Sequence, residues 1–284
     1  MPGARGRESH DSATRGSGNL MVPVLFHVGS VPVRTHEFFT LVGVIAGVIV
    51  LVIESRRRGM FDRRLLWLTL GALVGGAIGA RLGVAGRYLV ADPSPSVAGA
   101  FVEGGKTILG GLAGAYVGVL LAKRLIGHRG HTGDLFVPAV AIAMAIGRVG
   151  CFLTEQVGTP TSLPWGISVS PDVASRIPMC PTCAPGIGMH PSFLYEIAFH
   201  AVMFALVLTW LRPRARVPGE LFTIYLVAYA TFRFAVEFVR GNEVLVAGLT
   251  GPQVFLLVTG PLLALRFLAG RRTVRVAVVP VEEM

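Results

Sequence analysis

Seven apolar runs, each long enough or nearly so to cross ~30 Å of hydrocarbon, constrain this chain more than any other feature. They lie near residues 38–53, 65–90, 108–122, 135–153, 192–211, 219–239 and 252–268. They predict an all-α architecture: a polytopic membrane helix bundle of about seven transmembrane helices. With 52% hydrophobic and only 15% charged residues among 284, the chain has no room for a separate soluble domain. Residues 21–270 are therefore read as a single seven-helix membrane domain with an extracytoplasmic loop at 154–190. Residues 1–20 are rich in Gly, Ser and Arg and lack the apolar segment of a signal peptide, so they read as a disordered N-terminal tail. Residues 271–284 read as a cytoplasmic tail.

The net charge of +10 does not point to nucleic acid, because the basic residues are not pooled on one face. They fall in alternate loops. Arg56, Arg57, Arg58, Arg63 and Arg64 follow the first run; Lys123, Arg124 and Arg129 follow the third. Arg212, Arg214 and Arg216 follow the fifth, and Arg266, Arg271, Arg272 and Arg275 the seventh. The positive-inside rule makes that side cytoplasmic, placing the N-terminus outside and the C-terminus in the cytoplasm.

Some charges sit where a bilayer segment should not keep them without a use. An ionised side chain at a helix centre costs ~2.5–3.5 kcal/mol on insertion scales, so several on adjacent helices imply a polar pocket inside the bundle. On the sixth run Tyr225, Tyr229, Arg233, Glu237 and Arg240 fall on one side of a helix. Arg233 and Glu237 are four residues apart and can neutralise each other, either as a structural ion pair or with Glu237 steadying an arginine that binds a phosphate. Arg240 stands at the outer end, so the site should open outward. On the fifth run Ser192, Glu196 and His200 share a face; Glu196 could be a ligand-site acid or a paired structural one, and His200 reads as a packing residue. The fourth run ends Gly147-Arg148-Val149-Gly150-Cys151-Phe152-Leu153-Thr154-Glu155, with two glycines expected to leave the surroundings of Arg148 open to a ligand.

Glycines at four-residue spacing, Gly71, Gly75, Gly79 and Gly83 on the second run and Gly110, Gly114 and Gly118 on the third, predict a seam where two helix backbones approach closely in lipid. No chemistry is read into them.

These residues resemble a known family. Gly147-Arg148-Val149-Gly150 with Phe152 and Glu155, then His190-Pro191-Ser192 through Leu194-Tyr195-Glu196, then Phe232-Arg233-Phe234 with Glu237-Phe238-Val239-Arg240 come in the order and spacing of prolipoprotein diacylglyceryl transferase, over about residues 38 to 268. The resemblance implies a bacterial plasma-membrane (inner-membrane) multi-pass enzyme that moves the diacylglyceryl group of phosphatidylglycerol onto the lipobox cysteine of a preprolipoprotein. Its partners would be phosphatidylglycerol, preprolipoprotein signal peptides and membrane lipid; it implies no nucleic acid, no cofactor and no metal. By the same likeness Arg148 matches a phosphatidylglycerol-binding arginine, Tyr229 and Arg233 match an essential tyrosine and arginine, and Gly158 matches a required glycine. Glu155 and His190 are then candidate proton acceptors, and Glu196, Tyr195, Glu237 and Arg240 join Arg148 and Gly158 as candidate substrate-binding residues.

Two positions depart from the family. Leu109 stands before Gly110-Gly111 where the family usually has a histidine, its expected proton acceptor, and Cys151 follows Gly-Arg-Val-Gly where it has asparagine. A non-catalytic or altered-substrate lipid-binding paralogue is the alternative these departures favour. A third reading, a membrane thiol oxidoreductase, rests on Cys151 and on Cys180-Pro181-Thr182-Cys183 in the outer loop. That CxxC most simply forms a local disulfide, with thiol–disulfide exchange as the other use; a zinc site with His190 lacks a fourth ligand.

Overall fold

The computed structural model describes residues 22–91, 107–155, 158–168, 186–262 and 265. The two tails and the Cys180–Cys183 pair lie outside the described residues. A backbone in lipid has to satisfy its own hydrogen bonds, and apolar runs of this length do so as helices. Helix α1 spans Thr35–Arg57, α2 Arg63–Ala91, α3 Ile108–Leu125 and α4 Gly133–Thr154. Helix α5 spans Ser192–Arg214, with a π-helical turn at Val207–Leu211, and α6 spans Glu220–Val236, tightening into a 3-10 turn at Glu237–Val239. Among the described residues these six are long and apolar enough to cross a membrane, and α7, Gly251–Leu262, is a shorter apolar helix on the seventh predicted run. Large apolar side chains such as Leu66, Trp67, Ile53 and Trp210 stand exposed along the helices, as they should where lipid rather than water is the solvent. The chain is a multi-pass helical membrane protein.

Among the described residues, strands pair as three small antiparallel two-stranded sheets: β1 (Val24–Val28) with β2 (Val31–Arg34), β3 (Ile167–Ser168) with β4 (Gly188–Met189), and β5 (Val244–Val246) with β6 (Leu249–Thr250). The sequence reading contained none of these. They lie ahead of α1 and in connections between later helices, where period-2 patterns are only two to five residues long and carry little signal.

The chain forms two compact units. The first comprises residues 1–46, 141–203 and 235–242, and the second residues 47–140, 204–234 and 243–284; four of the five boundaries fall inside α1, α4, α5 and α6, and the last just ahead of β5.

In the second unit, α2 and α3 pack through the predicted glycine seam. A Cβ on Gly79 would lie 2.7 Å from Gly114 Cα, one on Gly75 2.9 Å from Gly118 Cα, and one on Gly71 2.7 Å from the Gly118 carbonyl oxygen. Nothing larger than hydrogen fits, so the seam is backbone on backbone. Leu51, Leu65, Leu135 and Ala139 form a buried apolar cluster in the same unit. The same unit buries Glu54, whose carboxylate accepts from Arg57 Nε at 2.8 Å, Arg58 Nε at 2.7 Å and Arg212 Nη1 at 3.1 Å. Asp134 takes the amide hydrogens of Gly219 (2.7 Å) and Phe222 (2.9 Å), placing a negative charge at the positive end of α6. Tyr225, Tyr229 and Arg233 are buried on α6.

In the first unit, glycines again set the approach of two helices. A Cβ on Gly43 of α1 would lie 2.7 Å from the Ala143 carbonyl oxygen of α4, and one on Gly150 would lie 3.0 Å from Phe39 Cβ and 3.2 Å from His36 Cα. Gly150 therefore closes α4 against the start of α1. This corrects the expectation that both glycines beside Arg148 hold space for a ligand; only Gly147 faces open space.

Candidate functional site

Most of the residues singled out in the sequence meet in the first unit. Arg148, from the last turns of α4, forms an ion pair with Glu196, from the second turn of α5. Glu196 also accepts a hydrogen bond from Arg240 Nη1, just past the 3-10 turn that ends α6. Glu196 is 0% exposed and Arg148 3%, so both charges are withdrawn from solvent. Phe193, one turn before Glu196, lies under both guanidinium groups, its ring centre 5.5 Å from Arg148 Cζ and 4.4 Å from Arg240 Cζ. A desolvated cation over an aromatic face gains roughly 2 kcal/mol, and the ring also walls off one side of the pair.

From Arg240 the contacts continue through more polar partners and return to Arg148. Arg240 Nη2 lies 3.9 Å from Glu155 Oε2, and Glu155 Oε1 lies 3.7 Å from His36 Nδ1. His36 Nδ1 lies 3.9 Å from Cys151 Sγ, which is 3.8 Å from Arg148 Nη1. Arg148, Glu196, Arg240, Glu155, His36 and Cys151 thus close a loop of ionisable side chains. One half is buried; the other is open, with the His36 and Glu155 side chains 32% and 42% exposed. The buried half carries two guanidinium groups around one carboxylate, and Glu155 sets a second carboxylate 3.9 Å from Arg240 on the open side.

The other predicted residues have contacts of their own. His190 Nδ1 lies 3.1 Å from the Tyr195 hydroxyl, which accepts from Trp165 Nε1 at 2.9 Å. Glu237 accepts from Asn242 Nδ2 at 2.6 Å. Glu196 holds Arg148 and Arg240 together. His200 is fully buried, as a packing histidine would be. Tyr229 and Arg233 belong to the second unit, 2% and 5% exposed. Leu109, half-buried in the first turn of α3, offers no titratable group.

Gly158 has a clear structural reason. Its amide hydrogen bonds the His190 carbonyl at 2.7 Å, the next amide, of Thr159, bonds Val239 O at 2.9 Å, and the His190 amide returns to Thr159 O at 2.8 Å. A Cβ on Gly158 would overlap the Val239 carbonyl and lie 2.8 Å from the His190 carbonyl oxygen. Gly158→Ala should therefore pull this loop off both segments that lead into the arginine–carboxylate cluster. The expected outcome is a loss of stability of about 1–3 kcal/mol with a larger fractional loss of function; melting in detergent alongside an activity assay checks it.

His36 escaped the sequence reading because it lies just ahead of the apolar run that begins at 38. The available signal was its place on the side of the membrane that also receives the end of the fourth run. The His36, Cys151 and Glu155 donor atoms lie within 4.8 Å of one another, a spacing that could also suit a divalent cation. Arg148 and Arg240 already stand within 4 Å of the thiol and the carboxylate, and like charge at that range opposes a dication. The arrangement suits an anion and a proton acceptor better.

Comparison with known proteins bears on the same segments. The family model of prolipoprotein diacylglyceryl transferase matches residues 23–268. The chain is 29% identical to the phosphatidylglycerol–prolipoprotein diacylglyceryl transferase of Clostridium tetani, over 78% of this chain and 86% of that protein. It is 26% identical to that of Finegoldia magna, over 86% and 95%, and 28% identical to that of Corynebacterium diphtheriae, over 77% and 81%.

Proposed function

The chain belongs to the prolipoprotein diacylglyceryl transferase family, and from that premise we propose that it transfers the diacylglyceryl group of phosphatidylglycerol to the lipobox cysteine of preprolipoprotein signal peptides at a bacterial plasma membrane. The observation that carries the chemistry is the buried Arg148–Glu196–Arg240 trio. Its two guanidinium groups offer the planar N–H donors that suit a phosphodiester. The cysteine sulfur attacks the glycerol carbon, the carbon–oxygen bond to phosphate breaks, and glycerol phosphate leaves with more negative charge than the lipid phosphate carried. Guanidinium groups fixed before the reaction stabilise that growing charge without reorganising. The same positive field favours the attacking thiolate.

Within this reading Arg148 and Arg240 grip the phosphate and Glu196 aligns them. Glu237 braces the turn that presents Arg240 through Asn242. Gly158 and Tyr195 shape the loop around His190. Tyr229 and Arg233 enter as catalytic residues by family likeness. Glu155 and His190 are the proton acceptors first suggested by the sequence; His190 has its Nδ1 engaged by Tyr195, and Glu155 Oε1 faces His36.

Leu109 favours a second reading, a lipid binder that has lost catalysis. One experiment separates the two. Purified protein is incubated with phosphatidylglycerol and a lipobox peptide, and the peptide is weighed by mass spectrometry. The expected result is a peptide heavier by one diacylglyceryl group. Phosphatidylglycerol binding with no modified peptide, where an established family enzyme succeeds under the same conditions, rejects transfer in favour of binding alone.

A further inference from the structure

We propose that His36, oriented by Glu155, is the group that takes the proton from the incoming thiol. The proposal rests on the transferase reading above and adds the identity of its base. A thiol with a pKa near 8.5 is only a few per cent ionised at neutral pH, and the sulfur must shed its proton to attack carbon. The buried part of the loop cannot accept one: Arg148 and Arg240 are cations, and Glu196 is shared between them. The accessible part can. His36 is a third exposed and opens the first turn of α1, beside the surface where Gly150 brings α4 against it.

The geometry specifies which nitrogen acts. Nδ1 is turned toward Glu155 Oε1 at 3.7 Å and Cys151 Sγ at 3.9 Å. A carboxylate beside Nδ1 favours the tautomer that carries hydrogen there, which leaves the Nε2 lone pair as acceptor. Contacts of this length are ordinary before substrate arrives and tighten when it does. The charged and titratable neighbours of His36 are Cys151 and Glu155 from α4, Arg240 acting through Glu155, and Glu37 on its own helix, which pairs with Arg34 at 3.9 Å. Glu155 is thus the carboxylate that faces the imidazole, while Glu37 is drawn toward another partner.

The step balances as follows. The lipobox thiol gives its proton to Nε2 of His36, and the sulfur lone pair forms the new bond to the glycerol carbon. The carbon–oxygen bond breaks with its electrons going to the phosphate oxygen, and the imidazolium returns its proton to that phosphate or to water. No oxidant, reductant or further reactant is required. Arg148 and Arg240 stand on the phosphate side of the reacting carbon and His36 on the sulfur side, joined through Glu155 and Cys151, so one constellation serves both ends of the displacement.

The test measures initial rates of peptide modification by the full-length protein with phosphatidylglycerol vesicles and a lipobox peptide, from about pH 7 to about pH 9.5, with His36→Gln and His36→Gly variants. His36→Gln should be slower than wild type by about 10²-fold or more at neutral pH. The deficit should shrink as pH rises past the thiol's own pKa, because the peptide then ionises without help. Added imidazole should restore part of the His36→Gly rate, which a misfolded or merely loosened protein would not show. A His36→Gln protein as fast as wild type at neutral pH overturns the assignment. So does a deficit of equal size at every pH that imidazole does not relieve. Inactive wild-type protein would instead remove the transferase reading itself, and His36's role with it, so the two failures are told apart by the first control.

Discussion

Replacing Glu196 by glutamine should destabilise the protein by about 3–5 kcal/mol, because removing one member of a buried ion pair strands its partners. Here there are two partners. Arg148 is 3% exposed and the Arg240 side chain 12%, and both lean on a carboxylate to which water has no access. Glutamine keeps the shape and one acceptor oxygen but supplies no charge. Two guanidinium groups, both against the Phe193 ring, would then stand together with no carboxylate between them. The measurement is the unfolding midpoint in detergent, with and without phosphatidylglycerol. An added anionic headgroup should raise the midpoint of Glu196→Gln more than that of wild type, since its phosphate can stand where the carboxylate stood and binding only the folded state stabilises it. Also removing Arg240's charge, in Glu196→Gln with Arg240→Gln, should recover part of the loss, as expected of residues that share one network. An unchanged midpoint in the single variant would mean the trio is not the electrostatic unit described above.

What could be read from the chain in advance, and what could not, follows from the range of the interactions involved. The helices were legible because hydrocarbon thickness dictates their length and composition, and the first six predicted runs match α1 to α6 to within a few residues. The glycine seam of α2 and α3 was legible because four-residue spacing is a local signal. Arg148, Glu196 and Arg240 were legible as expensive charges in apolar surroundings, but their pairing was not. Glu196 holds arginines from α4 and from the end of α6, a preference set by how three segments converge and absent from the spacing along any one helix. The role of Gly150 was misread for the same reason: a glycine beside a functional arginine says that something comes close, without saying whether it is a ligand or, as here, the backbone of α1. His36 stayed hidden because a histidine at a membrane boundary is ordinary by itself and acquires meaning only from Cys151 and Glu155 one helix away. The small sheets were missed because pairs of two to five residues fall below the length at which alternation is informative.

Arg148→Lys should lower diacylglyceryl transfer by about 10²–10³-fold, the usual effect of losing one preorganised donor to a developing oxyanion, while leaving the fold in place. The substitution preserves the positive charge, so the pairing with Glu196 survives in reduced form and gross electrostatics do not change. What it removes is shape. A guanidinium offers several N–H groups in one plane, enough to hold Glu196 and still meet a phosphate with two parallel hydrogen bonds; an ammonium is a point charge that must divide itself between them. At 3% exposure there is no water to supply the missing donors. Because the additional negative charge appears only as the carbon–oxygen bond breaks, the loss should fall mainly on kcat, with the KM for phosphatidylglycerol changing less. Steady-state rates over a range of phosphatidylglycerol concentrations separate the two effects. Were kcat unchanged and KM alone raised, Arg148 would be an anchor for the resting lipid and the stabilisation of the leaving phosphate would have to come from another cation.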